Sequence, residues 1–194
     1  ERIELLANQR ESLLLIYGYA HEHEDQFPSF GVERTNIATL EWQGQEVAGD
    51  WWSQIEYWGL FLQTRGYDGW VTAGIHAWPT VFDTITCAGC GQGKSEHLLA
   101  AGALADPRLF IPIGADDTQM HAVQSLDRVT YPSDKGLLVH LRSFAGNQPV
   151  PVAFADGHVS AVPEASLMPG AEVDMAWGGM PVVVTLNGLR GRDQ

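Results

Sequence analysis

The sequence predicts an α+β fold, a long N-terminal α-helix packed on an antiparallel β-sheet, with an irregular helical insertion between them. Three observations carry that expectation. Residues 1–24 place Ile3, Leu6, Leu13, Leu14, Tyr17 and Ala20 near the 3.6-residue period of an amphipathic helix, with Glu, Arg and Gln between them. The stretch Val150-Pro-Val-Ala-Phe-Ala-Asp-Gly-His-Val-Ser-Ala-Val162 sets two alternating runs around Asp156-Gly157, a strong local signal for a β-hairpin. The order of elements is a helix, an irregular middle, then strands, which suggests helices segregated from an antiparallel sheet. The 194 residues are read as one domain: helix over 1–24, an aromatic-rich irregular and helical insertion over 29–107, and a β-sheet region over 108–190.

The helix carries no Pro and no early Gly, and Phe27-Pro28 is expected to end it because the residue before Pro avoids the helical region. Residues 29–49 read as loop or short strand, punctuated by Gly31, Asn36, Gly44 and Gly49. Asp50 is the expected N-cap of a second helix, Trp51 to Thr64, closed by Gly66. Most of the rings of Trp51, Trp52, Tyr57, Trp58 and Phe61 fall on one broad face of it, which core packing or a contact surface would explain. Residues 94–105 are expected to form a short helix capped by Ser95. Gly136 to Leu141 and Met180 to Leu186 are expected strands, the latter turning at Asn187-Gly188. In the central hairpin a two-residue type I′ turn at Asp156-Gly157 would pair Phe154 with Val159 and Val152 with Ala161.

Composition narrows the function classes. Twenty-four acidic against 11 basic side chains give a formal charge of −13, which repels phosphate backbones, so no nucleic-acid partner is expected. The acidity suits solubility, or attraction of Ca²⁺ or a basic partner. No run of 18 apolar residues occurs in the chain. Seven Trp residues are many for this length and point to large buried rings or to a contact surface.

Candidate chemistry is sparse. Cys87-Ala-Gly-Cys90 has the spacing of a local disulfide, a redox pair or half a zinc site, which His76 or His97 would complete. Gly89 and Gly91 favour a loop over a thioredoxin-like helix start. His21 and His23, two apart, do not share a helical face, so the cluster with Glu22, Glu24 and Asp25 reads as a solvated helix end. Asp116-Asp117 and Asp25 are candidate oxygen ligands for Ca²⁺, without EF-hand spacing. Gly89-Cys-Gly-Gln-Gly93 lacks the flanking strand and helix of a phosphate cradle, and no nucleophile elbow, zinc-protease or P-loop motif is present. His158 beside Asp156 is read as a turn-side pair on an exposed ribbon. No catalytic residue is assigned and no enzyme activity is expected.

Four segments, in this order, resemble the pilin-like proteins that carry a type IV prepilin N-terminus. They are Asn8-Gln-Arg10 through Leu14-Leu-Ile-Tyr-Gly-Tyr-Ala20 to Glu24-Asp-Gln-Phe-Pro28; Cys87; Tyr131-Pro-Ser-Asp-Lys135 leading into a strand; and Val152-Ala-Phe-Ala-Asp-Gly-His-Val159. The resemblance frames residues 8 to 159, but the middle does not share in it. It departs at Gly146, where many relatives carry a His ten residues before the hairpin Asp; the nearest upstream His here is His140. Ile3-Glu-Leu-Leu6 is followed by no apolar run and is read as helix lying beyond the family's membrane segment.

The resemblance implies a non-catalytic subunit of a type IV pilus-like or type II secretion pseudopilus filament. It implies other pilin or pseudopilin subunits as partners through the N-terminal helix. It also implies a methylated precursor anchored in the inner membrane by a segment upstream, with a periplasmic or extracellular globular part, and in some relatives a Ca²⁺ site that holds a loop. Two other readings stand beside it. One is an extracytoplasmic module binding a carbohydrate or peptide, with Trp51, Trp52, Trp58, Trp70 and Trp78 as stacking platforms. The other is a metal- or thiol-dependent enzyme at Cys87 and Cys90.

Overall fold

Arg2–Glu22 form helix α1 in a computed structural model of the chain, which describes residues 2–42, 44–46, 50–67, 75–76, 94–95, 97–110, 121–140, 148–172 and 178–194. The helix is about 32 Å long at 1.5 Å per residue. It stops before the expected position because Glu24 and Asp25 both take left-handed backbone angles, φ +56° and +59°. The Asp25 N–H reaches back to the Ala20 carbonyl (2.8 Å), closing the last turn as a Schellman-type cap does. Gln9, Ser12, Leu13, Ile16 and Ala20 are its buried stripe, and it lies against the last three strands of the main sheet.

That sheet has four antiparallel strands in chain order: β5 (His97–Leu99), β6 (Gly136–His140), β7 (Val150–Phe154) and β8 (Val159–Val162). The fold is therefore α+β. Every residue of β5, β6 and β7 is buried, so consecutive side chains on opposite faces are both covered. Two short antiparallel strand pairs precede the sheet, β1 (Glu41–Trp42) with β2 (Gln45–Glu46) and β3 (Ile75–His76) with β4 (Lys94–Ser95). Helix α2 (Gln54–Thr64) packs on β4 and β5 and buries Ile55, Tyr57, Trp58, Leu60, Phe61 and Leu62. A 3₁₀ turn, Trp51–Ser53, leads into it. Asp50 stands before that turn without the expected side-chain cap bond, while Gly66 closes α2 at φ +84°.

The central hairpin forms where expected, in a different register. Val152 faces Ser160 and Ala153 faces Val159, one residue away from the pairing a two-residue turn gives. The cause is the connection itself. Gly157 alone is left-handed (φ +95°), Gly157 N–H bonds the Phe154 carbonyl (3.0 Å) and Phe154 N–H bonds that of His158 (2.9 Å). This is the three-residue loop with a bulge at Gly, not the type I′ turn.

Two further expectations change. Residues 94–105 do not form a helix: Lys94–Ser95 and His97–Leu99 are strands, and Ala101–Ala103 make one 3₁₀ turn. A short apolar run is ambiguous by periodicity, and here pairing of Leu98 with Val139 and Leu99 with Leu138 decides it. Met180 to Leu186 is not a strand either. Val182 has φ +66°, which breaks the extended backbone, and among the described residues only the isolated bridge Gly170–Thr185 is formed along it. The cost of a β-branched residue at that angle is offset by complete burial of Val182, Val183 and Val184. The turn at Asn187-Gly188 does form, both residues at positive φ.

Candidate functional site

Helix α1 offers two faces, and polar bonds to backbone fix which one looks inward. On the inner face the Gln9 amide nitrogen donates to the Leu138 carbonyl of β6 and the Pro151 carbonyl of β7, each at 3.0 Å. Two turns later the Tyr17 hydroxyl donates to the Ala155 carbonyl beside the hairpin tip (2.7 Å). Burial, then the charge of Asp156, push that phenol up to about 12. At the C-terminal end the Tyr19 ring lies 5.8 Å from Phe61 and 5.7 Å from Tyr67, and Tyr67 donates to Glu22 (2.5 Å).

The outer face carries Ile3, Ala7, Leu14 and Gly18, all exposed, Ile3 at 85% and Leu14 at 59%. At 100° per residue these four fall within an arc of about 60°, which exposed His21 shares and exposed Arg10 and Glu11 flank. Among the described residues, a Cβ built at Gly18 meets nothing within 4 Å. In mid-helix a Gly costs about 1 kcal/mol relative to Ala. No helix among the described residues is long and apolar enough to cross a membrane.

The sequence-predicted ligand platforms lie elsewhere. Trp51 is fully buried and stacks on His121 at 6.0 Å and 25°. Trp58 is buried with its indole N–H on the His97 carbonyl (2.8 Å). Neither ring has a face open to a ligand, and Trp52 is half-buried. Trp70, Trp78, Cys87, Cys90, Asp116 and Asp117 lie outside the described residues.

Among the described residues no three His, Cys, Asp or Glu side chains are grouped to hold a metal ion. His97 packs edge-on against its cross-strand partner His140 at 5.6 Å. Burial, and next the neighbouring imidazole, press its pKa down to about 3, so it is neutral. His21 and His23 are exposed at the end of α1. His158 Nδ1 lies 2.5 Å from Asp156, and its ring stacks flat on Phe154 at 4.3 Å and 5°.

Two polar centres gave no signal in the sequence. Gln54 Oε1 accepts from the Ser29 hydroxyl (2.7 Å), Phe30 N–H (2.7 Å) and Gly31 N–H (3.0 Å). Its amide donates to the Trp51 carbonyl (2.9 Å) and meets His121 Nε2 at 3.2 Å. In the second, Lys135 Nζ sits 2.8 Å from Asp193 Oδ2, both side chains at most 1% exposed. Thr185 bonds both partners and Gly136 N–H donates to Asp193 Oδ2 (2.9 Å). Burial pulls the Lys135 pKa down against the upward pull of Asp193.

Comparison of the chain with protein-family models, with curated proteins and with solved structures finds no match.

Proposed function

We propose that this chain is the globular part of a non-catalytic filament subunit, of the type IV pilus-like or secretion-pseudopilus kind, whose copies pack through helix α1. The observation that carries the reading is the division of α1. One face is anchored to the sheet by Gln9 and Tyr17. The other presents Ile3, Ala7, Leu14 and Gly18 to solvent, with a Gly that packing among the described residues does not require. Small and apolar residues on an exposed helix face permit close approach of a second helix. Burial of Trp51 and Trp58 weighs against the stacking-platform alternative at those two rings.

The test is N-terminal and intact-mass analysis of the native protein extracted from membranes, with photo-crosslinking from position 14 or 18 in cells. The proposal expects an apolar upstream segment, a methylated N-terminal residue and ladders of crosslinked copies. A soluble native form with crosslinks to no other copy overturns it.

A further inference from the structure

We propose that Lys135 and Asp193 condense into an intramolecular isopeptide bond, which ties the C-terminal residues covalently to the start of β6. The two side chains meet in a site shut off from solvent, Nζ 2.8 Å from Oδ2, although they stand 58 positions apart in the chain. Each carboxyl oxygen already carries a donor. Gly136 N–H lies 2.9 Å from Oδ2, and the Thr185 hydroxyl lies 2.5 Å from Oδ1. Lys135 Nζ also bonds Thr185 Oγ1, so hydrogen bonds run from amine to hydroxyl to the second carboxyl oxygen. Val182, Val183 and Val184, all fully buried, precede Thr185. With both charged side chains at most 1% exposed, water that would stabilise an ion pair is kept out.

The chemistry balances without any other reactant. Burial penalises the charged pair, so a proton passes from the ammonium through Thr185 Oγ1 to Oδ1, leaving an amine and a carboxylic acid protonated at Oδ1. The Nζ lone pair attacks Cγ and the Nζ–Cγ bond forms. A proton leaves Nζ through Thr185 Oγ1 to Oδ1, the Cγ–Oδ1 bond breaks, and Oδ1 departs as water. Oδ2 remains as the amide oxygen, held by Gly136 N–H. One amine and one acid give one amide and one water, with no change of oxidation state. Fixing both groups in contact supplies the entropy such a condensation lacks in solution, and a neutral amide replaces a costly buried ion pair. The bond depends on this chain's own fold and not on assembly.

The experiment is intact-mass analysis of the purified full chain, followed by tryptic peptide mapping. The expected mass is one water below that of the sequence, with no cleavage after Lys135 and a branched peptide joining Lys135 to Asp193. Asp193→Ala and Lys135→Arg restore the sequence mass, and Thr185→Val slows the water loss. The unsubstituted protein decides the matter even where a variant fails to fold. Recovery of Lys135 in a linear peptide with a free amine overturns the proposal. So does a water loss that maps elsewhere, such as succinimide closure at Asp156-Gly157.

Discussion

Gln9→Leu tests what holds α1 to the sheet. Gln9 is buried, and its amide nitrogen serves two carbonyl oxygens, Leu138 and Pro151, at 3.0 Å each. Leu keeps the bulk and removes the donor, leaving both acceptors without it. A buried acceptor that loses its partner costs about 1–3 kcal/mol. One offset exists: Gln9 Oε1 has no hydrogen-bond partner among the described residues, and removing that atom returns about 1 kcal/mol. The net expectation is a loss of about 1–5 kcal/mol. For a domain of this size that lowers the melting temperature by on the order of 10 °C. Urea denaturation followed by circular dichroism measures it, with the midpoint falling and the slope unchanged. Glu11→Gln, on the exposed side of the same helix, is the control and should stay within about 0.5 kcal/mol. If Gln9→Leu matches the control, the amide bridge is not what seats the helix, and the apolar contacts of Leu13 and Ile16 suffice.

Three further outcomes follow from the same structure. His97 binds a proton near 6.5 when unfolded and only near 3 when folded, so between those values the unfolded chain holds more protons and stability falls as pH drops. At pH 5 this one group removes about 2 kcal/mol relative to neutral pH, and His97→Phe should flatten that part of the urea-midpoint profile against the parent. Gly31→Ala places a Cβ 2.5 Å from Gln54 Nε2 and 2.6 Å from His121 Cε1; calorimetry should show a loss of about 1–3 kcal/mol, whereas Gly18→Ala, with open space around it, should gain up to about 1 kcal/mol while weakening crosslinking between copies. Tyr17→Phe removes the bond to the Ala155 carbonyl and should cost about 1 kcal/mol, with faster hydrogen exchange at the hairpin tip as its local signature.

The sequence pattern announced elements with one dominant local cause. Helix α1 follows from a long Pro-free periodic run, α2 from its aromatic face and closing Gly66, and the hairpin from Asp156-Gly157 between alternating runs. What local pattern could not convey was register and polar burial. A type I′ turn and a three-residue bulged loop use the same Asp-Gly pair, and only the bonds at Phe154 separate them. Val182-Val-Val184 reads as strand because β-branching favours extended backbone, yet tertiary burial holds Val182 at φ +66°. Gln9, Gln54 and Lys135 look like surface residues in sequence because their types usually are. Each is buried for the sake of partners 129, 24 and 58 positions away, which no local window contains.

The same buried polar groups explain why an undistinguished amphipathic pattern can specify one orientation of α1. An apolar stripe of Leu13, Ile16 and Ala20 tolerates rotation about the helix axis and sliding along it, since dispersion and hydrophobic contacts are nearly non-directional. Hydrogen bonds are directional. Gln9 must reach two carbonyls on adjacent strands while Tyr17 reaches a third past the end of β7. A one-residue rotation of 100° would carry both donors away from their acceptors. The inner polar bonds therefore fix the outer face, so that Ile3, Ala7, Leu14 and Gly18 point together to solvent. In a filament whose copies meet through that face, register within the subunit would set register between subunits. Gln9→Leu should then loosen assembly even at temperatures where the subunit remains folded.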